Sequence, residues 1–270
     1  MRLRKQYLTE NDCYRAGRTI RPQGIMVHST GANNPSVARY VPGDEEIGRN
    51  TYGNHWDQTN TEYKAKFDKK LNKCAHAFVG LFADGSVGTV QTLPWNRRGW
   101  HCGRGKNGSA NDTHISFEIC EDGLTDASYF KAAYQEAVEL TAYLCKEYNL
   151  DPLADGVVIC HQEGCRRGIA SNHGDVLHWF PKFGKTMDDF RADVARWMEG
   201  EDEMTQDQFD TMMENWLARR NNQPASDWAK PYIQEAIDAG VMTDVGGTIE
   251  RPQGLVTRQE LATVAAAIKR

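Results

Sequence analysis

Two imidazoles and a carboxylate stand within fifteen residues of each other in the segment HQEGCRRGIASNHGD, which runs from His161 to Asp175. Histidine nitrogen and carboxylate oxygen are ligand types of a catalytic zinc site, which takes three protein ligands and keeps a fourth position open to water. His161 directly follows the apolar run Val157 to Cys160, and His28 closes a second run that begins at Gly24. A short apolar run reads as a buried strand, so each imidazole is expected where a strand ends and a site can open. His28, His161 and Asp175 are therefore the candidate ligands for one Zn2+, with His178 as the rival third ligand. A further carboxylate, Glu118, interrupts the apolar run Ile115 to Cys120. Burying an unpaired charge is costly, so Glu118 must face something polar.

The elements that carry these residues can be read from periodicity. Residues 24–28 form a first strand. From Thr30 to about Asp68 the chain is polar and rich in Gly and Asn, and a long loop with one or two short helices is expected there. Residues 74–82 and 87–93 are strand-like and flank Asp84-Gly85, a hairpin signal. A Gly-rich loop, 99–109, leads into a strand at 115–120. A helical apolar period runs through 128–148, with Asp126 or Ser128 as its cap and Pro152 beyond its end. A strand into His161 and a helix over 187–198 follow. Strands alternating with helices, with one hairpin among them, imply an α/β fold: a mixed central β-sheet flanked by helices.

At 270 residues the chain fits one domain and a small module. Its 40% hydrophobic and 26% charged residues describe an ordinary globular protein. It contains no apolar run long enough for a transmembrane helix, and no membrane partner is expected. Residues 201–270 carry 12 acidic against 7 basic side chains, which is the whole of the net charge of −5. Residues 1–200 are thus neutral and lack the basic face that nucleic-acid phosphates require; the basic run Lys64 to Lys73 reads as solvated surface. The seven cysteines are odd in number and lack the density of a disulfide framework, which favours a reducing site of synthesis. Cys120, Cys145 and Cys160 sit in apolar patterns and read as buried small side chains. Cys160 and Cys165 flank His161, but Cys160 points to the opposite strand face. The N-terminus has basic residues with no apolar core behind them, so synthesis in a cytoplasm without an ordinary secretory signal peptide is expected.

After Gly200 the character changes. Residues 201–222 read as an acidic linker and an amphipathic helix, whose Phe209, Met212, Met213, Trp216 and Leu217 share one face. That face can either dock on the catalytic domain or pair two chains. Residues 223–270 resemble a single S-layer homology repeat, from Trp228-Ala229 through Ala236 to Gly240 to the helix start at Thr257, where Thr257 and Glu260 fit a capping box. This gives a small, mostly helical C-terminal module, and the resemblance implies binding to a secondary cell-wall polymer.

His28 in GIMVHSTG, Glu118 in HISFEICEDG, and His161 with Asp175 in ICHQEG…SNHGDVLHWFP together resemble the type 2 N-acetylmuramoyl-L-alanine amidases. These are zinc enzymes of phage lysins and bacterial autolysins, related to the peptidoglycan-recognition proteins. The resemblance runs from about residue 20 to 200, with its elements in the family's order, and implies a catalytic domain over 1–200 that acts on bacterial peptidoglycan. It implies Glu118 as the catalytic carboxylate, moving a proton from water to the leaving amine. His173 stands where relatives often carry a basic residue, and is implied as donor to the oxyanion. Relatives more often have Lys there, and some have Cys in place of Asp175. Two other readings use the same residues, a non-catalytic peptidoglycan-binding module and a zinc peptidase of the stem peptide. His76 and His101 are placed near the groove or behind a ligand, and His55 and His114 at the surface. Trp95, Trp100 and Trp179 either stack on sugar rings or belong to the core.

Overall fold

The computed structural model describes residues 1–200, 206–221, 223–240 and 242. The chain divides into two compact units, Met1–Asp202 and Glu203–Arg270.

In the first unit, the elements run β1 (Leu3–Lys5), α1 (Asp12–Arg15), β2 (Gly24–Ser29), α2 (Asn60–Phe67), β3 (Ala77–Leu81), β4 (Val87–Gln91), β5 (His114–Ile119), α3 (Ala127–Tyr148), β6 (Val158–Cys160), α4 (His161–Arg166) and α5 (Met187–Glu199). The six strands form one sheet in the order β1-β4-β3-β5-β2-β6. Only the β3–β4 hairpin is antiparallel; the other pairs are parallel. The mixed sheet flanked by helices is the expected fold class. β1 was not expected: three residues, two of them charged, carry too little periodicity to register.

Strand alternation assigns the two faces. Ile25 and Val27 of β2, Ala77 and Val79 of β3, and Ile115, Phe117 and Ile119 of β5 belong to one core, which α3 and α5 close with Ala133, Ala137, Leu140, Phe190 and Val194. Successive side chains of a strand point to opposite faces. Met26 and His28, like Ser116 and Glu118, therefore lie on the other face. There the segment 37–71 packs a second core of Val37, Tyr40, Val41, Ile47 and Trp56 onto Phe78 of β3. The long polar segment is thus anchored by its aromatic and aliphatic residues, with a single turn of 3-10 helix at Val37–Arg39 and α2.

Local signals explain the helix ends. Asp126 caps α3 by accepting from the Ser128 and Tyr129 backbone N–H groups, and Asn149 ends it in the left-handed conformation. Thr186 and Asp189 form a capping box at the start of α5.

Two expectations fail. Cys13 and Cys74 form a disulfide that joins α1 to the segment before β3. Their pairing depends on a distance that exists only in the fold. His114, expected at the surface, is buried on β5. Its register partner is Gly24, where any Cβ would lie 2.6 Å from the imidazole. The bare backbone makes the room.

In the second unit, α6 spans Gln206–Asn221 and α7 spans Lys230–Asp238. Phe209, Met212 and Trp216 of α6 are exposed, while Met213 and Leu217 are partly covered. The expected capping box at Thr257 and Glu260 lies outside the described residues.

Candidate functional site

The C-terminal ends of β2, β5 and β6 meet on the face opposite α3. β2 pairs with β5 so that His28 is the partner of Glu118, and with β6 so that Val27 is the partner of Cys160. His161 follows Cys160 as the first residue of α4, so it emerges beside His28. The start of α4 is held by Glu163, whose carboxylate accepts from the Cys160 N–H at 3.0 Å and pairs with Arg191 of α5 at 3.1 Å. Asp175 belongs to no regular element. Val176, Trp179 and Phe180 are wholly buried just after it, with Phe130 of α3 packed on Trp179, and they bring its carboxylate in from 147 residues away in sequence.

The three side chains converge. Asp175 Oδ2 lies 2.9 Å from His28 Nδ1 and 3.7 Å from His161 Nδ1, and the two Nδ1 atoms lie 3.2 Å apart. Both imidazoles are buried. Burial, aided by the neighbouring His28, holds His161 down to a pKa of about 4, so at neutral pH it offers a lone pair. Burial is the largest single influence on His28 and works against its charged form, but the hydrogen bond to Asp175 and the charges of Glu118 and Asp175 together outweigh it and set its pKa above the ordinary value. Asp175 is lowered: burial, the largest single influence, favours its neutral form, but the hydrogen bond from His28 and the charges of His28 and His161 together outweigh it.

This donor set fits a divalent cation. Two nitrogens and one carboxylate oxygen point at one place, where a proton can bridge only one pair at a time. A metal ion would engage all three, in the three-ligand pattern of catalytic zinc. His178 is not part of the group. Its Nε2 lies 2.9 Å from Glu121 Oε1, so the rival third ligand is directed away to a buried carboxylate. Cys160 is buried in the core cluster of α3 and α5, and Cys165 is half-buried on α4.

Glu118 and His173 line the same cavity of about 550 Å³ as the three converging residues. Burial raises the Glu118 carboxyl above its ordinary value, with the charge of His28 opposing the shift. The His173 ring sits 4.8 Å from that of His161, centroid to centroid. The cavity walls are also supplied by the long segment after β2, through Arg39, Tyr40, Trp56, Lys69, Lys70 and Lys73. The basic run read as solvated surface therefore forms part of the rim, which only the folded path of that segment reveals.

The tryptophans divide. Trp179 and Trp95 belong to the core, whereas Trp100 is 38% exposed and lines the cavity. His76 is wholly buried between Ser116 Oγ, at 3.1 Å, and the Arg97 carbonyl, at 2.7 Å. His101 touches His28 directly, with Nδ1 3.0 Å from His28 Nε2. Ser171 was missed in the sequence; its Oγ lies 3.3 Å from His161 Nε2. No sequence signal distinguishes it from any other loop serine.

Residues 18–176 match the family described as N-acetylmuramoyl-L-alanine amidase, and residues 223–262 match the S-layer homology domain. The chain is 30% identical over 148 residues to the N-acetylmuramoyl-L-alanine amidase CwlH of Bacillus subtilis, covering 55% of this chain and 48% of that one. It is 39% identical over 78 residues to the N-acetylmuramoyl-L-alanine amidase CwlA of the same organism, covering 29% and 28%. The chain thus spans between about a quarter and a half of the length of these curated relatives. A crystal structure of the Staphylococcus aureus hydrolase AmiA in complex with its ligand shares the fold, with a TM-score of 0.50 at 18% identity over 74% of this chain and 85% of that one.

Proposed function

The chain belongs to the N-acetylmuramoyl-L-alanine amidase family, and from that premise we propose that it is a zinc-dependent cell-wall lysin. It hydrolyses the amide between the lactyl group of N-acetylmuramic acid and L-alanine in peptidoglycan. The observation that carries this reading is the convergence of His28 Nδ1, His161 Nδ1 and Asp175 Oδ2 in a cavity that Glu118 also lines.

His28, His161 and Asp175 would hold the ion. Bound there, zinc supplies Lewis acidity, making water a stronger acid and an amide carbonyl a better electrophile. The protein's own groups handle the protons and the developing charge. Glu118, on the strand beside His28, takes a proton from the attacking water and returns it to the leaving nitrogen. A carboxyl whose pKa is raised by burial suits both halves of that task. His173, at the cavity wall, donates a hydrogen bond to the oxygen that gains charge as the carbonyl is attacked. Trp100 offers an apolar face on the cavity wall for a sugar ring.

The match of residues 223–262 to the S-layer homology domain supports a secondary cell-wall polymer as the ligand of the C-terminal module. An amidase joined to a wall-binding module suits a phage or prophage lysin that meets its substrate at the wall.

Mass spectrometry of purified peptidoglycan digested with the full chain tests the reaction. New amino termini should be L-alanine, freed from intact lactyl groups, and Glu118→Ala should produce few of them. New amino termini elsewhere in the stem peptide, or none from the unsubstituted chain, would sink the proposal.

A further inference from the structure

Both ligand imidazoles present Nδ1 to the convergence point, which leaves each Nε2 to be fixed from behind. His28 Nε2 lies 3.0 Å from His101 Nδ1. His161 Nε2 lies 3.3 Å from Ser171 Oγ, and that hydroxyl lies 3.0 Å from the Cys102 carbonyl oxygen. The two supports therefore originate from consecutive residues, His101 and Cys102. That pair is held from inside the protein by Asn111, which is wholly buried. Asn111 Oδ1 accepts from the His101 N–H at 2.7 Å and from the Cys102 N–H at 3.3 Å, while its Nδ2 donates to the Gly103 carbonyl at 2.8 Å.

We infer that His101 and Cys102, pinned by Asn111, are the positioning element that sets the tautomer and ring orientation of both metal-binding imidazoles. The inference rests on the zinc reading above and adds to it the residues that prepare the ligands. A neutral imidazole carries one N–H and one lone pair. For Nδ1 to offer its lone pair to a cation, the proton must sit on Nε2. The Nε2–H of His28 then donates to His101 Nδ1. The Nε2–H of His161 donates to Ser171 Oγ, whose own hydrogen goes to the Cys102 carbonyl. Each hydrogen has one acceptor, so the direction of both chains is set once the ligand atoms are chosen. Among the described residues His101 Nε2 has no hydrogen-bond partner. The one side-chain hydrogen bond of His101 among those residues is thus the one to His28. Using one short segment for both rings couples their orientations, because a shift of that loop moves both supports together.

The test is zinc affinity of the full chain, measured by competition with a chromophoric chelator. His101→Phe keeps a planar ring but removes the acceptor; His101→Gln restores an acceptor oxygen; Ser171→Ala removes the acceptor facing His161. Loss of such a partner typically weakens metal binding by about 10–100-fold. That loss is expected in His101→Phe and in Ser171→Ala, with most of it recovered in His101→Gln and the metal-free melting temperatures unchanged. An unaltered affinity in His101→Phe, or no recovery in His101→Gln, overturns the inference and leaves the zinc reading standing. A wild-type chain that binds no stoichiometric zinc sinks both. Long-range 1H–15N spectra of the zinc-loaded wild-type protein need no variant to fold. They should find His28 and His161 each protonated on Nε2, and a proton on Nδ1 of either overturns the assignment.

Discussion

His28 and Glu118 are register partners on the adjacent parallel strands β2 and β5. Their side chains leave the sheet on the same face, about 5 Å apart at the backbone. One is a candidate metal ligand and the other is the carboxylate that would move the proton. Their relation is fixed by backbone hydrogen bonds on rigid strands, so neither depends on a loop for its position.

That pairing makes Glu118→Gln a clean substitution. The amide keeps the shape of the side chain but cannot take a proton. Turnover on purified peptidoglycan should fall by about 10²–10⁴-fold, the usual span for general acid–base catalysis. Zinc content, measured by elemental analysis, should stay at the wild-type level. Activity within a few-fold of wild type would remove Glu118 from the reaction.

Metal content should separate Asp175 from His178. Asp175→Ala and His28→Ala each delete one of three converging atoms and should abolish stoichiometric zinc after dialysis. His178→Ala removes a side chain whose partner is Glu121 and should leave zinc bound. The reverse pattern would show that the third ligand has been misassigned.

Stability should fall on mild acidification through His76. Its ordinary pKa is 6.5, and burial lowers it to about 4 in the folded protein. Above pH 6.5 neither state is protonated there and the group has no effect. Between pH 6.5 and 4 the unfolded chain binds a proton that the folded one refuses, so stability is lost as pH falls. The loss from this group is at most about 3 kcal/mol. Urea unfolding of chelator-treated protein at pH 7.5 and pH 5 should show a smaller drop in His76→Gln than in wild type. An equal drop would assign the pH dependence to other groups.

The Cys13–Cys74 disulfide closes a loop with a sequence separation of 61. Constraining the unfolded chain in this way typically stabilises a protein by about 2–4 kcal/mol. The double substitution Cys13→Ser with Cys74→Ser should lower the unfolding free energy by that order, measured by denaturant titration under oxidising conditions. Because the Trp100 backbone N–H donates to the Cys74 carbonyl oxygen at 3.1 Å, the cavity wall should loosen as well, with a rise in KM. Unchanged stability would mean that the two thiols are unpaired in solution.

Much of this site could be read from the chain because its residues interrupt simple patterns. His28 ends one apolar run, His161 follows another, and Glu118 breaks a third. Burial of the surrounding residues forces each polar group toward a common opening, and strand periodicity puts His28 and Glu118 at comparable depth. Asp175 against His178 was not separable this way, since both lie in one irregular segment. The burial of Val176 and Trp179 turns one toward the imidazoles, and Glu121 draws the other away.

The amino-acid sequence by itself determined the alternation of strands and helices, the hairpin at Asp84-Gly85 and the identities of the residues able to ligate a metal or move a proton. These follow from local period, turn chemistry and side-chain type, which need no partner. Only the tertiary structure decided the Cys13–Cys74 pairing, the burial of His114 beside Gly24, the lysine rim of the cavity and the support of both imidazoles by His101 and Cys102. Each of those depends on groups far apart in the chain meeting within a few ångströms, a distance that the packing of the whole domain sets and that no local pattern encodes.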